Sequence, residues 1–92
     1  MESLQIKITG IVQGVFFRVS TQEQATKLGI TGWVKNCSDG SVEALFEGVD
    51  EQLSEILDWC SVGPDHAQVD QVQIIDRKDC TNPQEGFNII YE

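Results

Sequence analysis

Ile30-Thr31-Gly32-Trp33-Val34-Lys35-Asn36-Cys37-Ser38-Asp39-Gly40-Ser41-Val42-Glu43-Ala44-Leu45-Phe46-Glu47 reads as two strands joined by a turn. The Asp39-Gly40 pair is a strong hairpin signal, and the runs on either side, Ile30 to Asn36 and Ser41 to Glu47, carry β-branched and aromatic residues in alternation. A helix is expected on each side of this hairpin. Before it, Phe17, Ala25 and Leu28 can share one face of a helix over Phe17 to Leu28, with Gly29 placed to cap its end. After it, Leu53, Ile56, Leu57 and Cys60 fall at i, i+3, i+4 and i+7 of a second helix, with Asp50 as N-cap and Gly63-Pro64 as its close.

Strands complete the two ends. Leu4, Ile6 and Ile8 alternate with Gln5, Lys7 and Thr9 in a strand running to about Gly10. Ala67, Val69, Val72 and Ile74 give a fourth strand, and the change of apolar parity between Val69 and Val72 predicts a bulge or bend. After a loop from Asp79 to Gly86, Phe87, Ile89 and Tyr91 alternate in a short extra strand. The order strand, helix, strand, strand, helix, strand is the ferredoxin-like α+β sandwich, two helices packed on one face of a mostly antiparallel sheet. No internal repeat or low-complexity segment interrupts it, so residues 1–92 read as a single domain. Because this architecture carries many unrelated activities, function has to be argued from a site.

Charge narrows the field. The chain of 92 residues holds 15 Asp and Glu against 6 Lys and Arg, a net charge of −9. Binding to nucleic acid by counterion release needs a basic face that this composition does not supply. The charge is uneven, however. Residues 1–38 hold two acids against four basic residues, whereas residues 39–92 hold 13 acids against Arg77 and Lys78. A small anion would therefore be sought in the first 38 residues. The opening Met1 to Gly10 alternates polar and apolar residues and does not read as a signal peptide, and no apolar run approaches the roughly 18 residues of a membrane span. A cytoplasmic monomer without membrane or nucleic-acid partners is expected. Cys37, Cys60 and Cys80 are too widely spaced for a CxxC pair and read as reduced thiols.

Between the first strand and first helix, Gly10-Ile11-Val12-Gln13-Gly14-Val15 is a loop with two glycines, and Arg18 sits in the first helical turn. Unpaired amides and the positive dipole end of the helix, with glycines that let the backbone curl, can cradle a phosphate. Arg18 would add a planar fork for two phosphate oxygens. Glycine loops here are usually plain turns, and spacing alone does not choose between the readings. The loop lacks the GxxxxGK[ST] pattern of a nucleotide P-loop and the GxGxxG of a dinucleotide site.

Two longer patterns carry more. Gly10-Ile11-Val12-Gln13-Gly14-Val15-Phe16-Phe17-Arg18 resembles the first acylphosphatase motif, and Gly32-Trp33-Val34-Lys35-Asn36 with Gly40, Val42 and Gly48 resembles the second. The resemblance extends to Gly63-Pro64 and to Phe87, Ile89 and Tyr91, nearly the whole chain. It implies hydrolysis of acyl phosphates, with Arg18 as the phosphate-binding arginine, Asn36 as the residue holding the attacking water, and Gln13, Gly14, Val15, Phe16 and Phe17 as the backbone cradle. Phosphate or sulfate would then be a site ligand, and no metal or other cofactor is implied. Ile11 departs from the family, many of whose members have a basic residue after the glycine.

Other residues have plainer readings. Lys35 coats a solvent face or steers an anion, Trp33 and Phe46 are expected in the core, and Trp59 in helix packing. His66 reads as a surface residue. Glu47, Asp50, Glu51, Glu55 and Asp58 read as a solvated acidic face. Two rival functions stay open. A non-catalytic module that binds acyl or carbamoyl phosphate is disfavoured by a chain that ends at Tyr91-Glu92 without a partner domain. An RNA-recognition domain is disfavoured because Ser41 to Glu47 lacks the RNP aromatics. A metal chaperone would want cysteines in the loop after the first strand, which has none.

Overall fold

The computed structural model describes residues 1–91. Along the chain lie β1 (Glu2–Ile11), α1 (Phe17–Leu28), β2 (Thr31–Asn36), β3 (Val42–Gly48), α2 (Asp50–Cys60), β4 (Gln68–Asp79) and β5 (Phe87–Ile89). The five strands form one sheet in the order β4-β1-β3-β2-β5, antiparallel except where β5 runs parallel to β2. Both helices pack on one face, giving the ferredoxin-like α+β sandwich with its additional C-terminal strand. No helix among the described residues is long and apolar enough to cross a membrane.

Strand alternation builds the core. Leu4, Ile6 and Ile8 of β1, Val34 of β2, and Val42, Ala44 and Phe46 of β3 are buried against Phe17 and Ala25 of α1 and Leu53, Ile56 and Cys60 of α2. Phe46 stacks on Phe87 of β5 with ring centroids 5.6 Å apart, while Phe17 meets Trp59 at 5.6 Å. Burial pushes the Cys60 thiol up to about 12. One pairing detail positions everything that follows. Val42 of β3 lies opposite Ile8 of β1 on one side and Asn36 of β2 on the other. The end of β2 and the exit of β1 therefore share one rim of the sheet.

β4 shifts register twice against β1, leaving Asp70 as the extra residue between Gln71 and Val69 and Ile75 between Asp76 and Ile74. The first shift lies where the apolar parity breaks. The second carries the strand on to Asp79, beyond the apolar run, because charged side chains suit an exposed sheet edge.

Several expectations need correction. α2 has Val49 at its N-cap, and Asp50 is already the first helical residue. Gln52, at the third helical position, closes this end by accepting at Oε1 from the Val49 amide at 2.9 Å. Trp33 lies on the helix-free face, half-buried, because Val34 takes the inward position of β2, and Lys35 Nζ stands 5.5 Å from the Trp33 ring centroid. Glu47 is buried, not solvated. Its carboxylate accepts from Thr31 Oγ1 at 2.8 Å and the Gln84 amide at 2.9 Å, pinning the β4–β5 loop across the sheet.

Gly32 makes the close pairing of β2 with β3 possible. Its φ is 138°, and a Cβ there would run into the Leu45 carbonyl. Gly32→Ala should therefore lower unfolding stability by about 2–4 kcal/mol, read as a fall in the urea midpoint at unchanged slope.

Candidate active site

The chain leaves β1 at Ile11 and turns through Val12–Phe16 into α1. Val12 is buried and fixes the loop to the core. Gly14 has φ 76°, which suits glycine, but Phe16 takes the same left-handed region with φ 64° and ψ 24°. It is the one non-glycine residue with positive φ among the described residues. An L-residue there costs roughly 1–2 kcal/mol, a strain that folds retain where the backbone must take a particular shape. Phe16 is also the N-cap of α1, and no side chain among the described residues caps that end. The helical ladder begins with Ser20 N donating to Phe16 O at 3.0 Å, so the amides of Phe17, Arg18 and Val19 precede it, at the positive end of the helix dipole.

The Gln13 side chain ties this loop to the hairpin. Its Nε2 donates to the carbonyls of Cys37 at 2.8 Å and Ser41 at 2.9 Å, the residues that open and close the turn after Asn36. The turn is held from the other side by Lys7, whose Nζ lies 2.7 Å from Asp39 Oδ2. Asp39 also accepts from the Ser41 hydroxyl at 2.6 Å and the Ser41 amide at 3.0 Å. The Lys7 ammonium, followed by the Ser41 hydroxyl and amide, holds the Asp39 carboxyl well below the usual carboxylate range, and Asp39 raises Lys7 in turn.

A cavity of about 230 Å³ opens between loop and hairpin, lined by Val12, Gly14, Phe16, Phe17, Arg18, Val19 and Asn36. Asn36 Oδ1 is buried here with no hydrogen-bond partner among the described residues. A buried acceptor left in this way costs about 1–3 kcal/mol, which a donor arriving in the cavity would relieve. Arg18 makes no ion pair among the described residues, and its guanidinium carbon lies 5.5 Å from the Tyr91 ring centroid. Two lysines of the sheet are engaged, Lys7 by Asp39 and Lys35 by Glu43 at 3.8 Å. A roomier groove of about 600 Å³ is lined by Met1, Glu2, Val49, Asp50 and Glu51, the wrong sign of charge for an anion. Among the described residues no three His, Cys, Asp or Glu side chains converge as metal ligands would.

Of the residues expected in the site, Gly14, Phe16, Phe17, Arg18 and Asn36 meet at the cavity. Gln13 acts from behind it through its side chain, and Val15 packs against the core. Val12 and Val19 line the cavity although nothing singled them out in the sequence. Residues 4–89 match the family model for acylphosphatase. The chain belongs to the acylphosphatase family. It is an enzyme that hydrolyses acyl phosphates. It is 43% identical over 86 residues to the acylphosphatase of Rubrobacter xylanophilus, covering 94% of this chain and 77% of that one. It superposes on the crystal structure of Bacillus subtilis acylphosphatase with a TM-score of 0.94 at 33% identity, over 99% of this chain and 100% of that one. HypF of T. kodakarensis also superposes, at TM-score 0.84 and 26% identity, over 100% of this chain but only 12% of that one.

Two measurements check how this acylphosphatase site is held. Gln13→Ala strands two carbonyls and unties the loop from the hairpin. It should lower stability by about 1–3 kcal/mol and acetyl phosphate turnover ten- to a hundredfold, about the cost of a small misplacement of reacting groups. The second concerns pH. The lowered Asp39 carboxyl stabilises the fold above the unfolded value of about 4 and loses that effect as pH falls; the raised Lys7 contributes below about pH 10 and loses its effect as pH rises. Asp39→Asn should thus have a lower urea midpoint than wild type at pH 7, with the gap closing as pH is taken below about 4.

Proposed function

We propose that an acyl phosphate binds with its phosphoryl group on the Arg18 guanidinium and the amides of the Gln13–Phe17 cradle, and that a water held by Asn36 attacks phosphorus. The observation that carries this reading is the unpartnered, buried Asn36 Oδ1 in the same cavity as Arg18 and the uncapped start of α1. Oδ1 accepts a hydrogen bond from the water and directs its lone pair; an amide has no useful basicity, so Asn36 orients and does not abstract. The water oxygen forms the new bond to phosphorus as the bond to the acyl oxygen breaks, and the electron pair leaves with the carboxylate. The water's proton passes to the phosphate product or to solvent. Carboxylic acids have a pKa of roughly 4, so the leaving group needs no general acid. What remains for the protein is position and charge stabilisation on the equatorial oxygens, which Arg18, the cradle amides and the helix dipole supply.

This chemistry calls on no metal or other cofactor, and inorganic phosphate or sulfate would compete for the same cradle. Residues 1–92 are read as one domain, in line with a single family match over residues 4–89, and as a monomer. Three free cysteines, Cys37, Cys60 and Cys80, suit a reducing cytoplasm. The binding-module alternative has less support, because the chain is 33% identical to the Bacillus subtilis acylphosphatase at a TM-score of 0.94, against 26% and 0.84 for HypF.

The test is phosphate release from acetyl phosphate. Arg18→Ala should lower kcat/KM on the order of 10³-fold, and Arg18→Lys should recover little because a point charge replaces a planar fork. Asn36→Ala should act mainly on kcat, on the order of 10²-fold or more, with little change in KM. EDTA should leave the rate unchanged. Full activity in either alanine variant sinks the role given to that residue, and tight phosphate binding by a wild type without turnover favours the module.

A further inference from the structure

We propose that Phe16, with Val19 and Tyr91, selects the acyl half of the substrate, favouring flat apolar acyl groups such as benzoyl over small or charged ones; this rests on the mechanism proposed above. Three observations converge. Phe16 is 75% exposed, so the core gains nothing from its ring, yet the chain keeps it in a left-handed conformation at the cavity. Val19, one helical position past Arg18, lines the same cavity and is 46% exposed. Tyr91 is 80% exposed, with its ring against the Arg18 guanidinium. The cation of the site, unpaired among the described residues, thus shares its cavity with the exposed Phe16 and Val19 side chains and lies beside the exposed Tyr91 ring.

The acyl group is covalently joined to the phosphoryl group, so with phosphate on Arg18 it lies within reach of Phe16 and Val19, which line the same cavity. There the acyl group meets the Phe16 ring and Val19, with the Tyr91 ring beside Arg18 at its edge, and these reward flat apolar area by stacking and burial. A charged acyl group would lose water there without gaining a partner.

Steady-state kcat/KM for benzoyl phosphate and acetyl phosphate, measured side by side, tests this in wild type, Phe16→Gly and Phe16→Tyr. In Phe16→Gly the benzoyl-to-acetyl ratio should fall about tenfold, while the urea midpoint holds or rises because glycine fits the left-handed backbone. Phe16→Tyr, which keeps the ring, should retain the wild-type ratio within about twofold. An unchanged ratio in a folded Phe16→Gly protein overturns the proposal and leaves the hydrolytic mechanism standing. Turnover of neither compound by wild type overturns that mechanism, and the proposal with it.

Discussion

β3 is paired on both sides, and at Val42 its neighbours are Ile8 and Asn36. That register is the constraint on which the rest of the molecule depends. It brings the loop leaving β1 and the end of β2, about two dozen residues apart in sequence, to a common rim, and it does so with inflexible parts. A shift of one residue would turn Val42, Ala44 and Phe46 out of the core, so the placement of Asn36 is enforced by the burial of side chains that never touch the cavity. Gln13 then refines what the sheet imposes, since one carboxamide nitrogen spans two carbonyls of the turn. Precision at the site comes from hydrophobic register first and a local hydrogen-bond clamp second.

The charge of −9 and a phosphate site are reconciled by distance. Exposed charges beyond a Debye length of about 8 Å are largely screened at physiological salt, while Arg18 and the cradle amides would touch the anion directly. The site's electrostatics also depend on pairing. Lys7 and Lys35 have carboxylate partners on the sheet and its turn, so they serve structure, whereas Arg18 has no carboxylate partner among the described residues. The positive bias of residues 1–38 covers the candidate site, and two of its four basic side chains, Lys7 and Lys35, are paired along the hairpin.

The fold was legible because its marks are local. Alternation in Leu4, Ile6 and Ile8, the Asp39-Gly40 turn and the spacing of Leu53 to Cys60 each report on their own segment, and together they leave one familiar order of elements. Two motifs named Gly14, Phe16, Phe17, Arg18 and Asn36, which the fold brings to one cavity. What escaped were features set by tertiary partners. Nothing near Glu47 announces that Thr31 and Gln84 will satisfy its carboxylate in a buried place, and nothing near Gln13 reveals carbonyls 24 and 28 positions away. Trp33 was misplaced because β2 offers large apolar side chains on both faces, and period-2 reasoning cannot tell which of them faces helices. The strain at Phe16 is equally silent, since glycine is the usual mark of such a backbone and the sequence has phenylalanine there.

The thiols give the molecule a set of internal clocks. Cys60 lies fully buried beneath α2, its ionisation suppressed by burial, so a thiol reagent reaches it only when that helix lifts from the sheet. Cys37 sits half-buried at the turn that Gln13 clamps, where much smaller openings suffice. The ratio of their modification rates in the native protein therefore separates the breathing of the site from the opening of the core, without any label being added to the chain.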